Sequence, residues 1–252
     1  MMFKKMISLP LNVLFLFAAL NCSNNEEASP SDDTTDIPEV YKKIYASTDM
    51  YVQGDYIYIK TNGRPDHKSP YYKGTQWESE LYEAYNGSNT NFAINPNKIA
   101  NQTFTFKIPL NPQVSTTHSA TPLGPIGISL NGIPFYNQYA GPSQPLTNEI
   151  NSFDQYFGHP QQSGQYHYHA EPYYLTATKG NNVLLGFLLD GFPVYGPTES
   201  GKLVVNADLD AYHGHTHVTT DFPNGIYHYH ITNADPYING SGFYGTAGTV
   251  TQ

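Results

Sequence analysis

Two stretches, Gly127-Ile-Ser-Leu-Asn-Gly-Ile-Pro-Phe-Tyr136 and Gly186-Phe-Leu-Leu-Asp-Gly-Phe-Pro-Val-Tyr195, decide how the rest of the chain is read. Each is an apolar run, a turn dipeptide and a second apolar run, the pattern of a β-hairpin. Asn131-Gly132 and Asp190-Gly191 suit the positive φ angles of a tight type I′ turn. Pro134 and Pro193 lack a backbone N–H, which predicts that each returning segment lies at a sheet edge or a bulge. Working outward, two further blocks recur in the same order. Phe153-Asp-Gln-Tyr-Phe-Gly-His159 matches Leu209-Asp-Ala-Tyr-His-Gly-His215, and Gly164-Gln-Tyr-His-Tyr-His169 matches Gly225-Ile-Tyr-His-Tyr-His230. Three blocks in one order predict two copies of a supersecondary unit, at about 124–175 and 184–238, packed together as one domain.

The remaining sequence agrees with a mostly β fold with short helices and long loops. Gly, Pro, Asn and Thr are plentiful and favour turns, while 22 Tyr and 13 Phe favour strands and supply a core. Strands are expected at Tyr51–Lys60, Thr103–Leu110, Gly127–Leu130 and Leu184–Leu189. Leu146–Tyr156 is the best helix candidate, with Ser143 or Thr147 as its cap. No long amphipathic helix is visible.

The formal net charge of −9 argues against a nucleic-acid partner, because counterion release needs a basic surface. The N-terminus reads as an export leader over residues 1–22: Lys4 and Lys5 precede an almost wholly apolar Met6–Leu20. The chain's single cysteine, Cys22, follows Ala19-Leu20-Asn21 in what resembles the lipidation site of a bacterial lipoprotein. Residues 23–40 are polar and acidic and read as a disordered tether, leaving 41–252 as the folded domain. The expected location is outside the cytoplasm, at the outer membrane or cell surface, held to the membrane by a lipid anchor only.

The repeated Tyr-His-Tyr-His string carries the chemistry. Side chains alternate along a strand, so His167 and His169 share one face while Tyr166 and Tyr168 share the other. The two histidine Cα atoms then lie about 6.5 Å apart, close enough for both imidazoles to reach one ion. His228 and His230 repeat this between Tyr227 and Tyr229, and His159 and His215 stand upstream at matching places. These six histidines are the candidate metal ligands. Asp154 and Asp210 also match each other and are candidates for ligands, for acceptors of a histidine N–H, or for N-caps. With no thiolate on offer, the ions that suit imidazole and carboxylate are copper, zinc, iron and nickel, copper or zinc foremost. His213 and His217 flank the second copy without counterparts in the first, and His67 and His118 stand alone.

Two other readings compete. Tyr71, Tyr72, Tyr173, Tyr174 and Trp77 could stack on sugars, with Tyr and His as acid and base in glycan binding or cleavage. The histidines could instead form a polar core network whose loss would lower stability alone. Glycine-rich phosphate loops, Gly-x-Ser-x-Gly elbows and His-Glu-x-x-His helices are absent from the sequence.

At these residues the chain resembles the YHYH-domain proteins, from about Tyr51 to Gln252. The resemblance takes in Pro65-Asp-His-Lys68, Pro122-Leu-Gly-Pro-Ile-Gly127, Asn137-Gln-Tyr-Ala-Gly-Pro142, Leu189-Asp-Gly-Phe-Pro-Val-Tyr-Gly-Pro197, Gly225-Ile-Tyr-His-Tyr-His230 and Gly245-Thr-Ala-Gly248. It implies no particular activity. Many relatives carry a cysteine where Tyr212 or His213 stands and another near Ser241, so the resemblance transfers no thiolate site to this chain.

Overall fold

The computed structural model describes residues 36–252; the leader, Cys22 and most of the tether lie outside the described residues. A four-stranded antiparallel sheet has the order β1-β2-β3-β16, built from β1 (Asp49–Gln53), β2 (Tyr56–Thr61), β3 (Phe104–Pro109) and β16 (Thr249–Thr251). Alternating apolar residues in β2 and β3 bury one face only. Tyr51–Lys60 is therefore a hairpin and not one strand, because Gly54, at φ +58°, reverses the chain after Gln53.

The second sheet has eight strands. From the first copy come β4 (Pro125–Ser129), β5 (Pro134–Tyr136), β8 (Gly158–Pro160) and β9 (Tyr166–Tyr168). From the second come β10 (Leu184–Leu188), β11 (Pro193–Tyr195), β14 (Gly214–His217) and β15 (Ile226–His230). The order is β14-β15-β11-β10-β4-β5-β9-β8, symmetric about the antiparallel β4–β10 pair. Two-stranded ribbons, β6 (Tyr139–Ala140) with β7 (Gln144–Pro145) and β12 (Thr198–Glu199) with β13 (Lys202–Leu203), follow β5 and β11 in the same way. The two hairpins at the centre bury every residue of β4, β5, β10 and β11, as a sheet covered on both faces must. Ile57, Phe104 and Phe106 of the small sheet share one core with Ile128, Phe135, Phe187 and Tyr168 of the large one. Ile37 and Val40 pack against that core too.

Three expectations are corrected by geometry. The hairpin turns are not type I′. Gly132 and Gly191 have φ +75° and +86°, but Asn131 and Asp190 are not left-handed. Gly132 N–H donates to Ser129 O at 2.9 Å while Ser129 N–H donates to Ile133 O at 2.9 Å, and Leu188 to Phe192 repeats the pattern. That is a three-residue loop closed by a glycine bulge, which frees the Asn131 and Asp190 side chains for the core. Of the two places expected for Pro134 and Pro193, the edge is wrong and the bulge is right: β5 and β11 are interior strands paired on both sides, and each proline opens its strand just after the glycine bulge, where a missing N–H costs least. Finally, Leu146–Tyr156 forms only a 3-10 turn at Glu149–Ser152, since Asn148 makes no side-chain cap and two of its neighbours, Asn151 and Ser152, disfavour a helix interior. The α-helices are α1 (Glu78–Leu81) and α2 (Tyr173–Lys179), and no helix among the described residues is long and apolar enough to cross a membrane.

Candidate metal centres

The parallel pairing of β9 on β5, and of β15 on β11, builds the two sites. It sets the carbonyl after each hairpin above the last histidine of the string. His169 Nδ1 donates to Asn137 O at 2.6 Å, and His230 Nδ1 donates to Gly196 O at 2.8 Å. The middle histidines are braced within their own strands, His167 Nδ1 on Gln165 O at 3.1 Å and His228 Nδ1 on Ile226 O at 3.0 Å. A carbonyl only accepts, so each Nδ1 must carry the hydrogen and each Nε2 is left with a lone pair. The antiparallel partner strands then add His159 opposite His167 and His215 opposite His228.

Those lone pairs converge. His167 Nε2 lies 3.0 Å from His159 Nε2 and 3.0 Å from His169 Nε2, while His228 Nε2 and His230 Nε2 are 3.1 Å apart. A carboxylate closes each group: Glu149 Oε1 sits 3.2 Å from His159 Nε2, and Glu199 Oε2 sits 3.4 Å from His215 Nε2. In both quartets the four donor atoms lie within 4.8 Å of one another, and the quartets could each hold a metal ion. Four donors around an ion with bonds near 2.0–2.1 Å stand about 3.3 Å apart, so the observed spacing needs only a small outward breath. The histidines occupy separate ends of the sheet, with β9 and β15 five inter-strand steps of about 4.8 Å apart. They form two sites, not one shared site.

Burial fixes the charge state. It pushes His169 and His230 down to about 4 and His167 well below the usual histidine range, and it lowers His228. A hydrogen bond with His159 holds Glu149 below the usual carboxylate range. Partial burial works against the charge of Glu199, but His215 and His217 outweigh it and hold that carboxyl low as well. Two imidazoles per cluster held neutral, His167 and His169 or His228 and His230, beside a carboxylate held ionised are protonation states that suit a metal ion.

The tyrosines and aspartates lie on the other face and touch no ligand. Tyr166 OH donates to Asp154 at 2.9 Å, and Tyr227 OH donates to Asp210 at 2.9 Å. Asp154 also accepts from Ser69 Oγ at 2.6 Å and Tyr156 N–H at 2.9 Å, so it ties the loop before β8 to the core. Asp210 does the same for Tyr212 and Gly214 N–H before β14. These aspartates are therefore neither ligands nor histidine partners nor helix caps; they clamp loops. The second tyrosines meet the turn residues, Tyr168 OH accepting from Asn131 Nδ2 at 3.1 Å and Tyr229 OH donating to Asp190 Oδ2 at 2.6 Å. Gly158 and Gly214 make room for this face: a Cβ there would meet the Tyr166 or Tyr227 ring at 2.4 or 2.5 Å.

A family model described as YHYH protein matches residues 105–202 and 198–242, more than half of the chain. The chain belongs to the YHYH family. No curated protein and no solved structure matches it. In this YHYH chain the signature thus divides by face, Tyr to carboxyl and amide groups on one side and His to a donor cluster on the other, with both sides buried. Glu149 and Glu199 were missed by the sequence reading. They stand four residues before Phe153 and ten before Leu209, so the alignment of the copies gives them no common offset. Of the other histidines, only His217 reaches a cluster, its Nδ1 3.0 Å from Glu199 Oε1. His213 pairs with Thr232 Oγ1, His67 with Tyr168 OH, and His118 with Phe243 O. Of the five candidate sugar-stacking rings, Tyr71 and Tyr72 are fully buried, with their hydroxyls donating to Ser152 O and Pro65 O, while Tyr173 is exposed.

Proposed function

We propose that this YHYH protein binds two transition-metal ions, copper or zinc, one in each three-histidine, one-glutamate cluster. The convergence of three Nε2 atoms at about 3 Å carries the reading. Backbone acceptors hold the hydrogens of His167 and His169 on Nδ1, so their Nε2 lone pairs face one another without a proton between them. Buried, mutually repelling lone pairs persist only where something positive offsets them, and a divalent ion does so for all of them at once. The reading includes export through Lys4, Lys5 and the apolar Met6–Leu20, with lipid attachment at Cys22, which would put both centres outside the cytoplasm.

Elemental analysis of the purified, untagged protein tests this. Two equivalents of copper or zinc are expected, one lost in the His167→Ala, His169→Ala double variant and the other in His228→Ala, His230→Ala. Absence of stoichiometric metal in the intact protein, with both ions offered at neutral pH, would end the proposal and make glycan binding the next assay.

A further inference from the structure

The two clusters share donor types but not surroundings. In the first, every histidine has a hydrogen-bond partner at Nδ1, because His159 Nδ1 also meets Ser152 Oγ at 2.7 Å. In the second, His215 Nε2 is a buried atom with no hydrogen-bond partner, 3.4 Å from Glu199, and nothing among the described residues braces its other nitrogen. Glu199 is divided as well. Its Oε1 lies 3.4 Å from His228 Nε2 but 3.0 Å from Nδ1 of the half-exposed His217, so His217 competes with the ion for it.

The openings differ in size and charge. Glu199 and His230 stand on the wall of a cleft of about 960 Å³, which Tyr195, Thr219 and three lysines help to line. Lys43 is paired with Asp221 and Lys42 with Glu39, but Lys179 has no carboxylate partner among the described residues and lies over the Tyr45 ring, 4.8 Å from its centroid. The recess at His167, His169 and Glu149 is about 330 Å³ and has no lysine or arginine in its lining. In a chain of formal net charge −9, three lysines in the cleft that Glu199 and His230 wall, and none in the recess at His167 and His169, is an asymmetry between the two halves.

We infer that the second centre is the accessible one: its ion takes a small anionic ligand, a carboxylate or a phosphate, from the lysine-lined cleft, and the first centre does not. This rests on the metal-binding reading above. The anion reaches the ion past the divided Glu199 on the cleft wall, the loosely held His215 leaves a coordination position to fill, and Lys179 offsets part of the anion's charge. A braced recess that holds a carboxylate and no cationic side chain offers neither the free coordination position nor the counter-charge.

Azide titration of the two-copper protein, followed by the azide-to-copper charge-transfer absorption, tests the inference. One azide per two coppers is expected, with the band lost in His228→Ala, His230→Ala and kept in His167→Ala, His169→Ala. His215→Ala serves as a milder second variant, and far-UV circular dichroism confirms folding. Lys179→Ala, which leaves every ligand in place, should weaken azide binding about two- to fivefold at unchanged copper content, the worth of an exposed charge contact. Competition by acetate and by inorganic phosphate then separates the carboxylate from the phosphate source. Two coppers with no azide band, or a band that survives loss of the second centre, would overturn this inference alone. Failure to bind copper would overturn the metal reading and this with it.

Discussion

A histidine that gives its Nδ1 hydrogen to a carbonyl has one choice left at Nε2, to accept, and four of the six ligand candidates here are in that position. Three of the four tyrosines beside them make the opposite commitment, as donors to carboxylates: Tyr166 to Asp154, Tyr227 to Asp210 and Tyr229 to Asp190. Asp154 is the most heavily used, since it accepts from Tyr166, Ser69 and the Tyr156 amide while almost fully buried. Asp154→Ala would strand those donors in the core, and a loss of about 3 kcal/mol is expected in urea unfolding of the metal-free protein. The variant should still bind two ions at neutral pH once folded. Loss of an equivalent in a folded Asp154→Ala protein would show that the aspartate acts on the ion after all.

At the scale of elements, the parallel β5–β9 and β11–β15 pairings do the positioning, and the glycines ahead of His159 and His215 let the tyrosine rings pass beneath the edge strands. Gly158→Ala would drive a methyl group to 2.4 Å from the Tyr166 ring. Overpacking of this kind is expected to cost about 1–3 kcal/mol and to weaken metal binding at the first centre, not the second, as isothermal titration of each single-centre protein would read. Sequence made the histidines legible, because a two-residue period puts His-x-His on one face and the duplicated blocks set His159 and His215 beside them. The central strands were legible for a different reason, being unbroken apolar runs around a turn dipeptide. The turn type was not, since Asn-Gly and Asp-Gly suit more than one reversal and here the side chains of Asn131 and Asp190 are drawn inward to Tyr168 and Tyr229. Glu149 and Glu199 were invisible because a turn and a ribbon deliver them, and neither follows a strand or helix period.

For the whole molecule the buried histidines set an acid limit. In the metal-free protein burial lowers His67, His167, His169, His213, His228 and His230, with three of them down to about 4. The unfolded chain titrates near 6.5, so below that pH it takes up protons that the folded protein refuses. Their contribution is therefore complete above about pH 6.5 and is lost as the pH falls towards 4. Asp154 and Asp190, raised by burial, act in the opposite sense, Asp190 at about 6, but two carboxyls face six histidines. The melting temperature should fall between pH 6.5 and 4.5, and bound ions should leave in the same window. A flat or rising melting temperature there would contradict the burial of neutral histidines.

Because Glu149 rides on a 3-10 turn and Glu199 on a ribbon strand, the carboxylates are not copies of each other as the histidines are. Drift can therefore delete one without leaving a mark on either Tyr-His-Tyr-His string. On the proposed two-ion reading, substitution of Glu149 or Glu199 would cost one half of the chain its ion while both Tyr-His-Tyr-His strings persist. The number of strings is then no count of centres, and the residues to inspect are those between β7 and β8 and between β11 and β13.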